Sequence, residues 1–78
     1  MSPEIEQRVR QIIAEVVGFE TEDIAEADSF IADYRISYPE RKTLLDRLNV
    51  EFGREIGFDA FVKLDKVADV MEVFKAPA

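Results

Sequence analysis

Few side chains in this sequence are equipped for chemistry, and they gather in two places. One is the run Asp33-Tyr34-Arg35-Ile36-Ser37-Tyr38-Pro39, which sets two hydroxyls side by side. The other is a set of carboxylates, Glu20, Glu22, Asp23, Glu26 and Asp28. There is no histidine and no cysteine, which removes the usual general base, the commonest metal ligand and all thiolate chemistry. A hydroxyl becomes a nucleophile when a base and an oxyanion site are arranged around it, and nothing here assembles all three. No enzyme and no catalytic residue are expected. The carboxylates lack the Asp-x-Asp-x-Asp-Gly run of a calcium loop. They would hold a divalent ion loosely at best, so no metal site is expected.

The elements that must position these groups read as helices. Ile5, Val9, Ile12, Ile13, Val16 and Val17 recur at helical spacing over residues 3–17. Ser2 suits the cap of that helix, Pro3 its first turn, and Gly18 the left-handed residue that ends it. A long polar connection follows, with apolar residues at Phe19, Ile24 and Phe30, which are expected to pin it over the core. Ser37-Tyr38-Pro39-Glu40 then fits a capping box at the head of a second helix: Ser37 caps, Glu40 answers three residues later, and Pro39 is tolerated in the first turn. Leu44, Leu45, Leu48 and Phe52 form its apolar stripe, and Gly53 lies near its end. Phe58 and Phe61 mark a short third helix. Asp65 is expected to cap a last one whose Val67, Val70, Met71 and Phe74 face inward. The Ala76-Pro77-Ala78 tail is expected to fray. The expected fold is therefore all-α: one domain over residues 1–78, three main helices plus a short one, and a long first loop.

Composition narrows the class. With 78 residues, 47% of them hydrophobic, the chain can build one modest core. Residues 1–30 hold eight acids against Arg8 and Arg10, a net of −6, whereas residues 31–56 balance five acids with five bases. The overall charge of −7 argues against nucleic acid, whose phosphates need a basic face. No apolar run approaches the ~20 residues of a membrane span. The opening Met1-Ser2-Pro3-Glu4 lacks the basic and apolar regions of a signal peptide. A soluble, cytoplasmic monomer is the expectation.

Order and spacing together resemble the acyl carrier protein family along nearly the whole chain. Arg8-Val9-Arg10-Gln11-Ile12-Ile13-Ala14-Glu15 is similar to the family's opening helix. Val17-Gly18-Phe19 and Glu22-Asp23-Ile24 are similar to its Leu-Gly-Val and Glu-Glu-Val continuation. Asp28-Ser29-Phe30-Ile31-Ala32-Asp33-Tyr34 resembles the approach to the family's modified serine. Leu44, Leu48, Glu51-Phe52 and Glu55-Ile56 resemble its second helix and Glu-Phe-x-x-Glu-Ile ending. Lys63-Leu64-Asp65-Lys66-Val67-Ala68-Asp69 resembles the entry to its last helix. The resemblance implies the carrier fold and a role beside acyl-chain-handling enzymes.

The departures fall on the family's Asp-Ser-Leu motif, whose serine carries the 4'-phosphopantetheine arm. Counting back from Leu44, Leu48, Phe52 and Ile56, the serine's place holds Tyr38. Ser37 replaces the aspartate, Pro39 the leucine, and Arg35 the preceding glycine. A transferase shaped for serine is not expected to modify a tyrosine. Ser37 reads as a helix cap, and the alternative is that it bears the arm one residue early, about 100° around the axis if it were helical. Tyr38 reads as cover for apolar surface beside Tyr34 or the loop. It could instead close the cleft between the second and third helices, or form a partner-contact pair with Tyr34.

The second helix is acidic in the family and docks on basic patches, but here Arg41, Lys42, Arg47 and Arg54 offset its acids. Taken singly, Arg41 and Lys42 beside Glu40 and Asp46 read first as solvated intrahelical pairs, each worth only ~0.2–0.5 kcal/mol. The expectation is a degenerate carrier without its prosthetic group, acting by protein contact through Tyr34, Tyr38, Arg41, Lys42 and Arg47. The alternatives are a working carrier with the arm on Ser37, and a protein sheltering a fatty chain among Leu44, Leu48, Ile56 and Phe61.

Overall fold

The computed structural model describes residues 3–76. It is an all-α bundle of α1 (Pro3–Val17), a 3₁₀ turn (Thr21–Asp23), α2 (Tyr38–Phe52), the short α3 (Phe58–Phe61) and α4 (Val67–Lys75). Ser2, the expected cap of α1, and Pro77 and Ala78 of the tail lie outside the described residues. No described helix is long and apolar enough to cross a membrane.

Helix α1 is the hub. Its Val9, Ile12 and Ile13 are fully buried, because their spacing puts all three on one stripe, and it packs on both α2 and α4. It stops at Gly18, whose φ of 80° is a left-handed conformation that costs a residue with a Cβ. The N–H groups of Gly18 and Phe19 both donate to the Ala14 carbonyl, at 2.8 and 3.0 Å. Helix α2 buries Leu44, Leu45 and Leu48 and ends at Gly53, again left-handed, with φ 63°. The inward residues of α4 are Val67, Val70, Met71 and Phe74, all buried. At its far end, Arg54 donates one guanidinium nitrogen to the carbonyls of Val73 and Ala76, at 3.1 and 2.9 Å. That satisfies acceptors the last turn would leave open.

The long first loop is bolted down at both sides. Ile24 and Phe30 are buried as expected, but Phe19 stays 43% exposed and contributes a ring edge to Tyr34, 5.2 Å between centroids. Toward α1, Arg10 Nε donates to the Ile24 carbonyl at 3.1 Å. Toward α4, a short antiparallel bridge joins Ser29 to Lys66. Phe30 N–H donates to the Asp65 carbonyl at 2.8 Å, Val67 N–H to Asp28 at 3.1 Å, and Ala68 N–H to Glu26 at 2.9 Å. The expected capping role of Asp65 is thereby corrected. Lys66 occupies the cap position without a side-chain cap, and carbonyls from the loop take the first donors of α4 instead. The Asp65 carboxylate turns to the loop and accepts Ser29 Oγ–H at 2.7 Å and, at 3.4 Å, Ile31 N–H.

Inside the loop, the Tyr34 hydroxyl donates to the Asp28 carboxylate, which also accepts Ala25 N–H at 3.0 Å. Asp28 is held below the usual carboxylate range, first by the Tyr34 hydrogen bond and then by the Ala25 amide. Burial, followed by the bond to Asp28, pushes the Tyr34 phenol well above its ordinary value. A depressed carboxylate contributes stability that is present above its unfolded pKa, near 4, and is lost as pH falls through the folded value. A raised phenol contributes stability that is present below about 10 and is lost as pH rises through the folded value. With no histidine to titrate, urea unfolding should give a flat stability between about pH 6 and 9 and a fall below about 4. Tyr34→Phe should cost about 1 kcal/mol at pH 7 and shrink the acid loss. An acid loss of unchanged size in Tyr34→Phe would contradict the assignment.

Candidate functional site

The hydroxyls singled out in the sequence lie at the head of α2. Ser37 is extended, with φ −83° and ψ 166°, so its side chain can turn back over the helix. Its Oγ accepts Glu40 N–H at 3.2 Å, while Ser37 N–H donates to Glu40 Oε1 at 2.9 Å. Both halves of the expected capping box are formed, which satisfies one orphan donor of the helix and one of the loop. The Ser37 oxygen is thereby aimed at the backbone, although the residue is exposed.

Tyr38 opens α2 and is 64% exposed. Its ring meets Phe58 of α3 edge to face, with centroids 5.1 Å apart and planes at 65°, an arrangement that favours aromatic pairs. Lys42, one turn on, sets its Nζ 5.7 Å from the Phe58 centroid and 6.0 Å from that of Tyr38, within cation–π range. Tyr38 thus spans from α2 to α3, and the ring expected beside it is elsewhere. Tyr34 is only 8% exposed and packs on Phe19 and Phe30. The two tyrosines therefore form no contact pair, and Tyr34 is corrected from a surface residue to a core one.

The basic residues of α2 separate in the same way. Arg41 is 7% exposed and donates to the Val62 carbonyl at the end of α3, at 3.0 Å; it is corrected from a docking residue to an internal one. Arg47 pairs with Glu15 of α1. Among the described residues no ion pair forms within α2, so the expected intrahelical pairing is corrected too. Lys42 is exposed and, with Tyr38, lies beside Phe58 of α3, and Val62, the residue that ends α3, is 43% exposed.

Of the residues expected to line a chain-sheltering cleft, Leu44, Leu48 and Phe61 are buried in the common core and Ile56 packs against it. The loop carboxylates disperse: Glu26 pairs with Arg10 at 3.3 Å and Asp28 with Tyr34. Among the described residues no three groups converge as metal ligands. A groove of about 620 Å³ runs between α1 and the 3₁₀ turn, past Gln7, Arg10, Thr21 and Glu22. None of the α2 head residues lines it.

Sequence reasoning missed two participants. Phe58 was read only as a mark of the short helix, not as the seat of Tyr38. Asn49 was not singled out at all, yet its amide both donates to and accepts from the Ile56 backbone, at 3.0 and 3.2 Å. The available signal was an Asn inside a helix, a poor helix former that bonds nearby backbone when it can. No family model matches this chain.

Arg35, two residues before the cap, has φ 52°, where a residue with a Cβ is strained by ~1–2 kcal/mol. Glycine relieves that strain and returns part of the gain as unfolded-chain entropy. Arg35→Gly should therefore raise stability by about 1 kcal/mol, read as a higher urea midpoint at unchanged slope. A lower midpoint would mean that the Arg35 side chain contributes more than its backbone costs.

Proposed function

We propose that this chain is a degenerate member of the acyl carrier protein family, working without phosphopantetheine through protein–protein contacts in a fatty-acid, lipid or polyketide-type pathway. The observation that carries the reading is Tyr38: at the first position of α2 stands an aromatic ring leaning on Phe58. By the resemblance, that position belongs to the modified serine. The neighbouring hydroxyl, Ser37, is engaged in the capping box. Its use by a transferase would require the cap to be given up, at about 1 kcal/mol. The contact surface in this reading is that of Tyr38, Lys42, Phe58 and Val62. Tyrosine there offers a large, rigid contact area. The chain's net charge of −7 favours partners with basic surfaces.

The alternative, a working carrier, is supported by one observation, the exposure of Ser37. Intact mass after incubation with coenzyme A and a broad-specificity phosphopantetheinyl transferase separates the two. Wild type should gain no mass while a control carrier is modified. A phosphopantetheine increment that appears in wild type and vanishes in Ser37→Ala would make the chain a working carrier.

A further inference from the structure

We propose that α3 is latched to α2 at both of its ends, and that Arg41 and Asn49 keep the α2–α3 seam closed to a hydrocarbon chain. A helix of four residues with two internal hydrogen bonds, Phe61 N–H to Gly57 and Val62 N–H to Phe58 at 3.0 and 2.8 Å, has no stability of its own. Something else must hold it.

Three ties do so, all from α2. Before α3, the Asn49 amide pairs with both backbone groups of Ile56, at 3.0 and 3.2 Å. After α3, the buried Arg41 guanidinium donates to the Val62 carbonyl at 3.0 Å. Val62 is the C-terminal cap of α3, so this carbonyl is one that the helix cannot satisfy internally. At the head, the ring of Tyr38 rests on Phe58. Phe61, 2% exposed, fills the space behind.

A hydrocarbon chain inserted into the seam would part the Arg41 charge from its acceptor in an apolar setting, the costliest kind of broken hydrogen bond. It would also unpair both Ile56 backbone groups. Arg41 and Asn49 are thus positioning residues that make the α2–α3 face one rigid piece. The inference does not rest on the function proposed above: a chain that accepted the arm on Ser37 would still have a closed seam, and the mass assay reads that question separately.

Amide hydrogen exchange by NMR tests it. In wild type, Phe61 and Val62 should be protected far beyond what an isolated turn allows. Added sodium dodecanoate, below its micelle concentration, should leave the amide signals of Leu44, Leu48 and Phe61 in place. In Arg41→Met, which keeps the stem and removes the donor, Phe61 and Val62 should exchange at least tenfold faster, with Ile12 and Ile13 of α1 changed much less. Asn49→Ala should do the same at Ile56 and Phe61, and it serves as the test if Arg41→Met does not fold. Unprotected Phe61 and Val62 in wild type, dodecanoate shifts at the three core residues, or uniform acceleration across α1 and α3 in the folded variants would each overturn the latch.

Discussion

The backbone clamp between the first loop and the entry to α4 is the constraint on which the rest of the molecule depends. A loop spanning residues 18–37 carries many backbone donors and acceptors that a compact domain must satisfy. Helix α4, which lacks a side-chain cap, begins with donors in the same need. Each supplies what the other lacks: the carbonyls of Glu26 and Asp28 take Ala68 and Val67 N–H, and the Asp65 carbonyl takes Phe30 N–H. Ser29 and Asp65 add a side-chain bond across the same junction. Through this clamp a loop with few apolar residues acquires a fixed path, and Phe30 is driven into the core beside Tyr34.

The head of α2 inherits its place from that path. Ile36 N–H donates to the Phe30 carbonyl at 3.1 Å, so the chain reaches Ser37 from a fixed direction and the capping box closes on Glu40. Arg35 takes up the reversal in a left-handed conformation, a strain held by ties on either side of it. The surface that results is small and mixed. The charges that looked free in the sequence are mostly spent inside the molecule, Arg41 on α3 and Arg47 on α1. At the head of α2 the exposed Tyr38 ring meets Phe58, with Lys42 Nζ near both rings.

How much of this was legible follows from how local each feature is. The capping box, Gly18 and Gly53 as left-handed ends, and the stripes of α1, α2 and α4 all depend on residues within a turn or two of each other. Their signals are carried by adjacent letters. Asp65 was misread because an Asp before a helix is a cap by local rules, whereas its partners Ser29 and Ile31 lie 36 and 34 residues away. Arg41 and Tyr34 were placed on the surface for the same reason. An arginine in a charged helix reads as solvated until the chain folds a carbonyl 21 residues on into its reach. Tyr38 was the intermediate case: the possibility that its ring closes toward the third helix was readable, but the choice of Phe58 over Tyr34 as neighbour was not.

A double-mutant cycle between Ser29 and Asp65 probes the clamp most directly, since the two side chains meet only across the loop–α4 junction. Unfolding free energies for Ser29→Ala, Asp65→Ala and the double variant should show a coupling of about 1 kcal/mol or more. Additivity within about 0.3–0.5 kcal/mol would mean that the two segments are not joined there, and the account of how the head of α2 is positioned would fail with it.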